Sequence, residues 1–185
     1  GNECYLRSDM YHQYAPFFSE QWHKIRNGES LTYSWNIGMG TNFTSLFAYY
    51  LASPSNWFVA LFPQKYTIEI MNAFIILKIA GSSLSLTYYL TKHNNNKHVI
   101  AAIFGMFYGM SGFIAAYSWN IMWLDCVILI PLIMLGLERL VNENRCIFYC
   151  ITLGLCIFTN YYIAIMVCLS VVIYYVVLMI AYNGI

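Results

Sequence analysis

Charge is what this sequence has least of. Asp, Glu, Lys and Arg make up 9% of its 185 residues, against 60% hydrophobic residues. A soluble domain carries about 25% charged residues and needs them to cover its surface, so that class is excluded. The formal net charge of +1 supplies no basic field, and no nucleic-acid partner is expected. Catalytic and metal signatures are missing as well: there is no CxxC pair, no HExxH, no nucleophile elbow and no closely spaced pair of carboxylates. Cys126, Cys150, Cys156 and Cys168 lie inside apolar runs, Cys146 at the edge of one, and Cys4 alone in polar sequence. That distribution argues against a disulfide framework or a zinc site and for cysteines used as small apolar residues. No signal-peptide pattern is visible. The chain opens on Gly1 and stops just past an apolar run, so a fragment of a longer protein is expected.

What is present is apolar sequence in long runs. A span needs about 20 mostly apolar residues. The first candidate is Ile68 to Thr91, interrupted by Lys78. The second is Val99 to Tyr117, where Gly105, Gly109 and Gly112 suggest close helix contacts. The third is Ile121 to Leu140, with Asp125 near its start and Pro131 in its middle. Cys146 to Tyr182 is too long for one ordinary span, and its polar break at Thr159-Asn160-Tyr161-Tyr162 predicts two rather short helices in a hairpin, or one kinked helix. The expected fold is an all-α polytopic membrane protein with about four transmembrane helices, residues 68–185 forming the bundle and residues 1–67 lying outside it.

Two short basic loops, Lys92 to His98 and Glu138 to Arg145, fall on one side of alternating spans. The intervening turn Ser118-Trp119-Asn120 has neither Lys nor Arg. Short basic loops stay in the cytoplasm, which places residues 1–67 outside the cell. Arg7, Lys24, Arg26 and Lys65 do not overturn this, because long translocated segments carry little topological weight.

Within that N-terminal segment, Tyr11, Tyr14, Phe18, Trp22 and Ile25 recur at helical spacing between Ser8 and Arg26. Pro16 should begin a second piece of helix or kink a single one, and Asn27-Gly28 supplies a stop. An aromatic-loaded amphipathic helix next to spans is expected to lie at the lipid–water boundary; packing in an outer domain is the blander alternative. The glycine-containing run Tyr33 to Asn42 reads equally as a structural turn and as a loop shaping a ligand site. Its Tyr-Ser-Trp-Asn-Ile string occurs again at Tyr117 to Ile121.

Ionisable groups in apolar surroundings are costly and point to function. Asp125 needs either a water-filled cavity or a partner such as Arg7, Lys24 or Lys78. Lys78 suits an ion pair between helices or contact with an anionic ligand. Asp9 serves equally as an acidic residue near a helix N-terminus and as a general base, with Arg7 and His12 beside it for an anionic substrate. Asn36, Asn120 and Asn160 join Asp125 as polar candidates for a cavity.

Several strings together carry a family likeness. Leu6-Arg7-Ser8-Asp9-Met10-Tyr11-His12-Gln13-Tyr14, Tyr33 to Gly38 with Gly40-Thr41-Asn42, Tyr49 to Pro54, Ser111-Gly112-Phe113, Tyr117 to Asp125, Leu135 to Leu140 and Asn160-Tyr161-Tyr162 resemble the bacterial YfhO membrane-protein family, in its N-terminal part. That resemblance implies a GT-C-like fold and a glycosyltransferase acting on the outer face of the membrane. It implies as donor an undecaprenyl-phosphate-linked sugar and as acceptor a cell-wall polymer such as lipoteichoic acid. Asp9 matches the acidic position of the first outer loop; Arg7, His12 and Lys78 become candidates for the donor phosphate. A divalent cation fits the class, but no Asp-x-Asp or Asp-Glu pair is here to hold one, so no cofactor is assigned. A non-catalytic transporter of lipid-linked sugar, or a membrane scaffold, would share these features.

The charge asymmetry makes a direct prediction. A cysteine introduced at Asn95 should stay unlabelled by a membrane-impermeant thiol reagent in intact cells; labelling from outside would invert the topology.

Overall fold

The computed structural model describes residues 9–94 and 98–183, the side chains of 182 and 183 excepted; Cys4 and Arg7 lie outside the described residues. The chain opens with a π-helical turn, Met10–Tyr14, that runs without a break into helix α1, Ala15–Asn27. Pro16 sits in the first turn of α1; because the π-helical turn runs straight into it, its missing N–H leaves one carbonyl of that turn without a helical donor. Gly28 ends the helix in the left-handed region, its N–H bonding back to the Lys24 carbonyl, as the Asn27-Gly28 signal predicts. A small antiparallel hairpin follows, β1 Tyr33–Ser34 against β2 Thr41–Asn42. Then come α2, Phe43–Leu46, a π-helical turn over Phe47–Leu51 and a 3-10 segment over Pro54–Leu61.

The bundle consists of α3, Thr67–His93; α4, His98–Gly109, with its continuation α5, Gly112–Tyr117; α6, Ile121–Glu143; α7, Ile147–Thr159; and α8, Tyr161–Asn183. Four stretches are long and apolar enough to cross a membrane: Gln64–His93, His98–Tyr117, Ile121–Glu143 and Tyr161–Ala181. The fold is thus all-α and polytopic, as expected. The hairpin at Asn160 is present, but its arms are unequal. Helix α7 has 13 residues, about 20 Å of rise, whereas α8 is long enough to span.

Asn160 makes the joint between them. Its N–H bonds to the Cys156 carbonyl at the end of α7, and its Oδ1 accepts from the Ile163 N–H at the start of α8, an Asn cap placed at a helix entrance. Its Nδ2 donates to the Tyr49 carbonyl, so the N-terminal segment is tied to the joint. That segment covers the end of the bundle where α3, α6 and α8 begin. Lys78 lies eleven residues into α3 while Asp125, its partner, lies four residues into α6. Helix α3 therefore projects beyond α6 by roughly 10 Å. Residues 9–66 fill the step, and Met10, Tyr14, Phe18, Phe43, Leu51 and Val59 form one core with Met71 and Ile75 of the projecting turns.

Three expectations need correcting. Gly105 and Gly109 do bring α4 hard against α3, since a Cβ on either would collide with the Thr87 or Ser83 side chain, but Gly112 faces open space. Glu138 is not in a loop: α6 continues to Glu143, and Glu138 is buried. Cys126 and Cys156 are buried, as apolar cysteines should be, whereas Cys146 and Cys150 are exposed.

Pro131 inside α6 explains one contact between helices. Proline has no N–H, so the carbonyl four residues earlier, on Val127, loses its helical donor. The Tyr108 hydroxyl of α4 donates to that carbonyl at 2.8 Å. Tyr108→Phe should strand a buried acceptor at a cost of about 1–3 kcal/mol. In a Pro131→Ala background, which restores the N–H, the same change should cost markedly less. Thermal unfolding of the four proteins in detergent checks this; equal costs in both backgrounds would remove the explanation.

Candidate functional site

The one full ion pair inside the bundle among the described residues joins α3 to α6. Lys78 Nζ lies 2.7 Å from Asp125 Oδ2 and also donates to the Ile121 carbonyl at 3.2 Å and to Ser53 Oγ at 3.4 Å. Lys78 is 5% exposed and Asp125 14% in their side chains. Of the three partners considered for Asp125, the structure selects Lys78. The ammonium has three N–H donors, and all three are engaged, leaving none for a phosphate. Lys78 acts here as a tie between α3, α6 and the N-terminal segment.

Above the pair stands a wall of tyrosines. Tyr49 and Tyr50 meet edge to face at 4.7 Å, Tyr14 meets Tyr50 at 5.4 Å, and Tyr49 meets Tyr161 at 5.6 Å. Trp123 stacks on Tyr162 at 6.2 Å. The Tyr14 hydroxyl donates to Asn120 Oδ1 at 2.8 Å, and the Tyr50 hydroxyl to Gln13 Oε1 at 2.8 Å. Burial, then the neighbouring Tyr50 and Tyr49, then the Asp9 carboxylate push the Tyr14 phenol far above its ordinary value. Tyr50 is raised as well, by burial first, then by Tyr49 and Asp9. Both hydroxyls therefore stay neutral donors at any physiological pH. Asn120 Nδ2 is buried with no partner among the described residues; Trp123 Nε1, also buried, approaches Tyr49 without reaching hydrogen-bond geometry.

Asp9 opens this arrangement. It occupies the position before the Met10–Tyr14 turn in a helical conformation, and its side chain makes no capping hydrogen bond. Among the described residues its carboxylate has no hydrogen-bond or ion-pair partner, while its charge is felt at Tyr14 and Tyr50. His12 is exposed, its ring edge-on to Tyr11 at 5.2 Å. Asp9, Tyr14, Asn120 and Asp125 thus share one end of the bundle. Asn160 is there too, but with its polar atoms spent on the α7–α8 joint.

A family model described as bacterial membrane protein YfhO matches residues 1–184. The chain belongs to the YfhO family. No curated protein and no solved structure matches it. Membership establishes a membrane protein of this family, consistent with the four apolar helices.

In this YfhO-family chain, Asn36 stands apart from the other candidates. Its Nδ2 donates to both Glu20 oxygens, at 3.0 and 3.3 Å, at the far end of α1. Sequence reasoning missed two polar clusters. One is Glu20 with Lys24, both buried in α1, whose Nζ donates to the Ser30 and Tyr33 carbonyls at 3.0 and 2.8 Å. Burial opposes ionisation of Glu20, but hydrogen bonds from Ser34 and Asn36 and the nearby Lys24 prevail and lower its pKa. The Glu20–Lys24 spacing of four residues was the available signal. The other cluster is Glu138, which accepts from Tyr89 at 2.7 Å and from Tyr174, and pairs with His93 at 3.0 Å. The apolar run Leu132 to Leu137 that leads into this carboxylate was the available signal.

The Lys78–Asp125 pair yields a test. Removing one partner leaves an uncompensated charge in an apolar bundle, and Asp125→Leu or Lys78→Met alone should each cost about 3–5 kcal/mol. The double substitution should cost clearly less than the sum. Thermal stability in detergent measures it, and additive losses would show that the two groups act independently.

Proposed function

We propose that this protein is a membrane glycosyltransferase of the bacterial cell membrane, with residues 1–67 outside the cell. It transfers a sugar from an undecaprenyl-phosphate-linked donor to a cell-wall polymer such as lipoteichoic acid. The observation that carries the reading is Asp9. Its carboxylate has no partner among the described residues, it stands on the first turn of the helix that crosses the covered end of the bundle, and it matches the acidic position of the GT-C class. A carboxylate kept for structure would be expected to bond back to its helix or to a cation.

The reaction is a displacement at the anomeric carbon. An acceptor hydroxyl oxygen bonds to that carbon and gives its proton to Asp9. The bond from the carbon to the phosphate oxygen breaks, and polyprenyl phosphate departs with the bonding pair. Arg7 and His12, two residues before and three after Asp9, are positioned in sequence to receive the leaving phosphate. Lys78 is assigned a positioning role, holding Asp125 and the Ser53 hydroxyl beneath the site. The tyrosine wall and Trp123 offer neutral donors and a polarised aromatic surface beside the reacting groups.

Asp9→Asn tests this. Asn keeps the shape and loses no capping bond, because Asp9 makes none, so insertion and thermal stability should be unchanged. Turnover in membranes supplied with lipid-linked sugar and acceptor polymer should fall by about a hundredfold to ten-thousandfold. Arg7→Ala should mainly weaken donor binding. Near-normal turnover in Asp9→Asn would put the transporter or scaffold reading ahead.

A further inference from the structure

At the other end of α1 from Asp9, a cavity of about 450 Å³ opens between the helix and the β1–β2 hairpin. Its floor is the buried Glu20–Lys24 pair, held at 3.7 Å. The floor is fully bonded: Glu20 accepts from Ser34 at 2.6 Å and from Asn36, and Lys24 donates to two carbonyls. Groups so occupied form a rigid base and do not need a ligand to satisfy them. The rim is more open. His23 and Glu29, paired with each other at 3.4 Å, are each 41% exposed in their side chains, so the Glu29 carboxylate keeps acceptor capacity toward the cavity, and Asn36 has its Oδ1 directed to no partner among the described residues.

One wall is aromatic. Trp35 is 76% exposed and stands edge to face with Tyr33 at 4.9 Å. Both rings lie over Gly40, which has φ +102°; a Cβ there would collide with the Tyr33 hydroxyl and press on the Trp35 ring. The hairpin thus spends a glycine on holding two rings at the cavity mouth instead of burying them. A large apolar ring kept in the open beside fixed polar groups is the composition of a ligand site. Charge narrows the ligand. Lys24 bonds two carbonyls and shares its charge with Glu20 and Glu29 at 3.7 Å, and His23 pairs with Glu29, so among the described residues lining the cavity no free cation awaits a phosphate or carboxylate. What fits is a neutral, hydroxyl-rich ring: its hydroxyls meet Glu29 and Asn36, and its axial C–H bonds lie on the electron-rich face of Trp35.

We propose that this cavity binds a neutral sugar residue of the acceptor, with Trp35 as its stacking platform. The inference rests on the transferase reading above. Eleven to fifteen residues of helix separate it from Asp9, about 16–22 Å, so it grips the acceptor away from the point of transfer.

The test uses the full-length protein in nanodiscs with three probes: an N-acetylglucosamine tetrasaccharide, maltotetraose and a glycerol phosphate oligomer. Saturation-transfer NMR and calorimetry report binding. At least one neutral tetrasaccharide should bind, and Trp35→Ala should weaken it by about tenfold or more. Trp35→Phe, which keeps a ring, should lose less, and Met39→Ala, fully exposed in the same loop, should lose nothing. Gly40→Ala should weaken binding by displacing both rings. Binding of the glycerol phosphate oligomer alone, no binding of either neutral probe, or unchanged saccharide binding in Trp35→Ala would each overturn the proposal. Asp9→Asn separates it from the reaction: that variant should bind the tetrasaccharide like the wild type. Normal turnover there would sink the base assignment and leave the saccharide site standing.

Discussion

Everything at the covered end of the bundle depends on the bond between Lys78 and Asp125. Placing an ammonium and a carboxylate among apolar helices is unfavourable unless each finds the other at short range. Satisfying that constraint sets the relative height of α3 and α6. It brings a residue eleven positions into one helix level with a residue four positions into the other. The step so created is what residues 9–66 occupy, and the third donor of Lys78, on Ser53, fastens them there. The N-terminal segment is consequently part of the bundle's packing. Its helix is covered by apolar contacts on the Tyr14–Phe18 side and by the hairpin on the Glu20–Lys24 side.

Much of the fold was legible because apolar runs of spanning length have few alternative meanings. Pro16, Asn27-Gly28 and the break at Asn160 were also legible, since each acts locally on the backbone. Partners were not. Asp125 was evidently in need of one, but three cations were open to it, and only the stagger of α3 against α6 selects Lys78. Pro131 announced a stranded carbonyl without naming Tyr108, twenty-three positions earlier, as its donor. Glu138 escaped because it is followed by Arg139, which made the pair look like the start of a basic loop. In three dimensions the two side chains part: Glu138 turns inward to Tyr89 and Tyr174, and Arg139 lies against the Phe148 ring.

The candidate site was half legible. Asp9 and Asp125 could be selected because carboxylates are few and conspicuous in such a sequence, and Asn120 because it adjoins a span. The tyrosine wall could not be assembled, since its members come from residues 14, 49, 50, 161 and 162, scattered among aromatics that serve elsewhere as ordinary packing. Asn36 shows the converse. Asn36 and Asn120 hold the same place in the repeated Tyr-Ser-Trp-Asn-Ile string, yet one copy forms a hairpin and the other a helix entrance. Identical pentapeptides fold differently because the glycines after Ile37 permit a turn, while the apolar run after Ile121 commits to helix.

The inequality of α7 and α8 bears on how the protein is made. A helix of 13 residues falls short of the roughly 20 that cross a bilayer unaided, so as α7 leaves the ribosome it has too little apolar length to settle in the lipid by itself. Helix α8 supplies the missing partition free energy only once it has been synthesised. The two must then enter together, with Asn160 already capping α8 and the Tyr49 carbonyl, laid down long before, ready to receive its amide. The order of synthesis thereby matches the order of need: the acceptor that fastens the joint exists before the joint does.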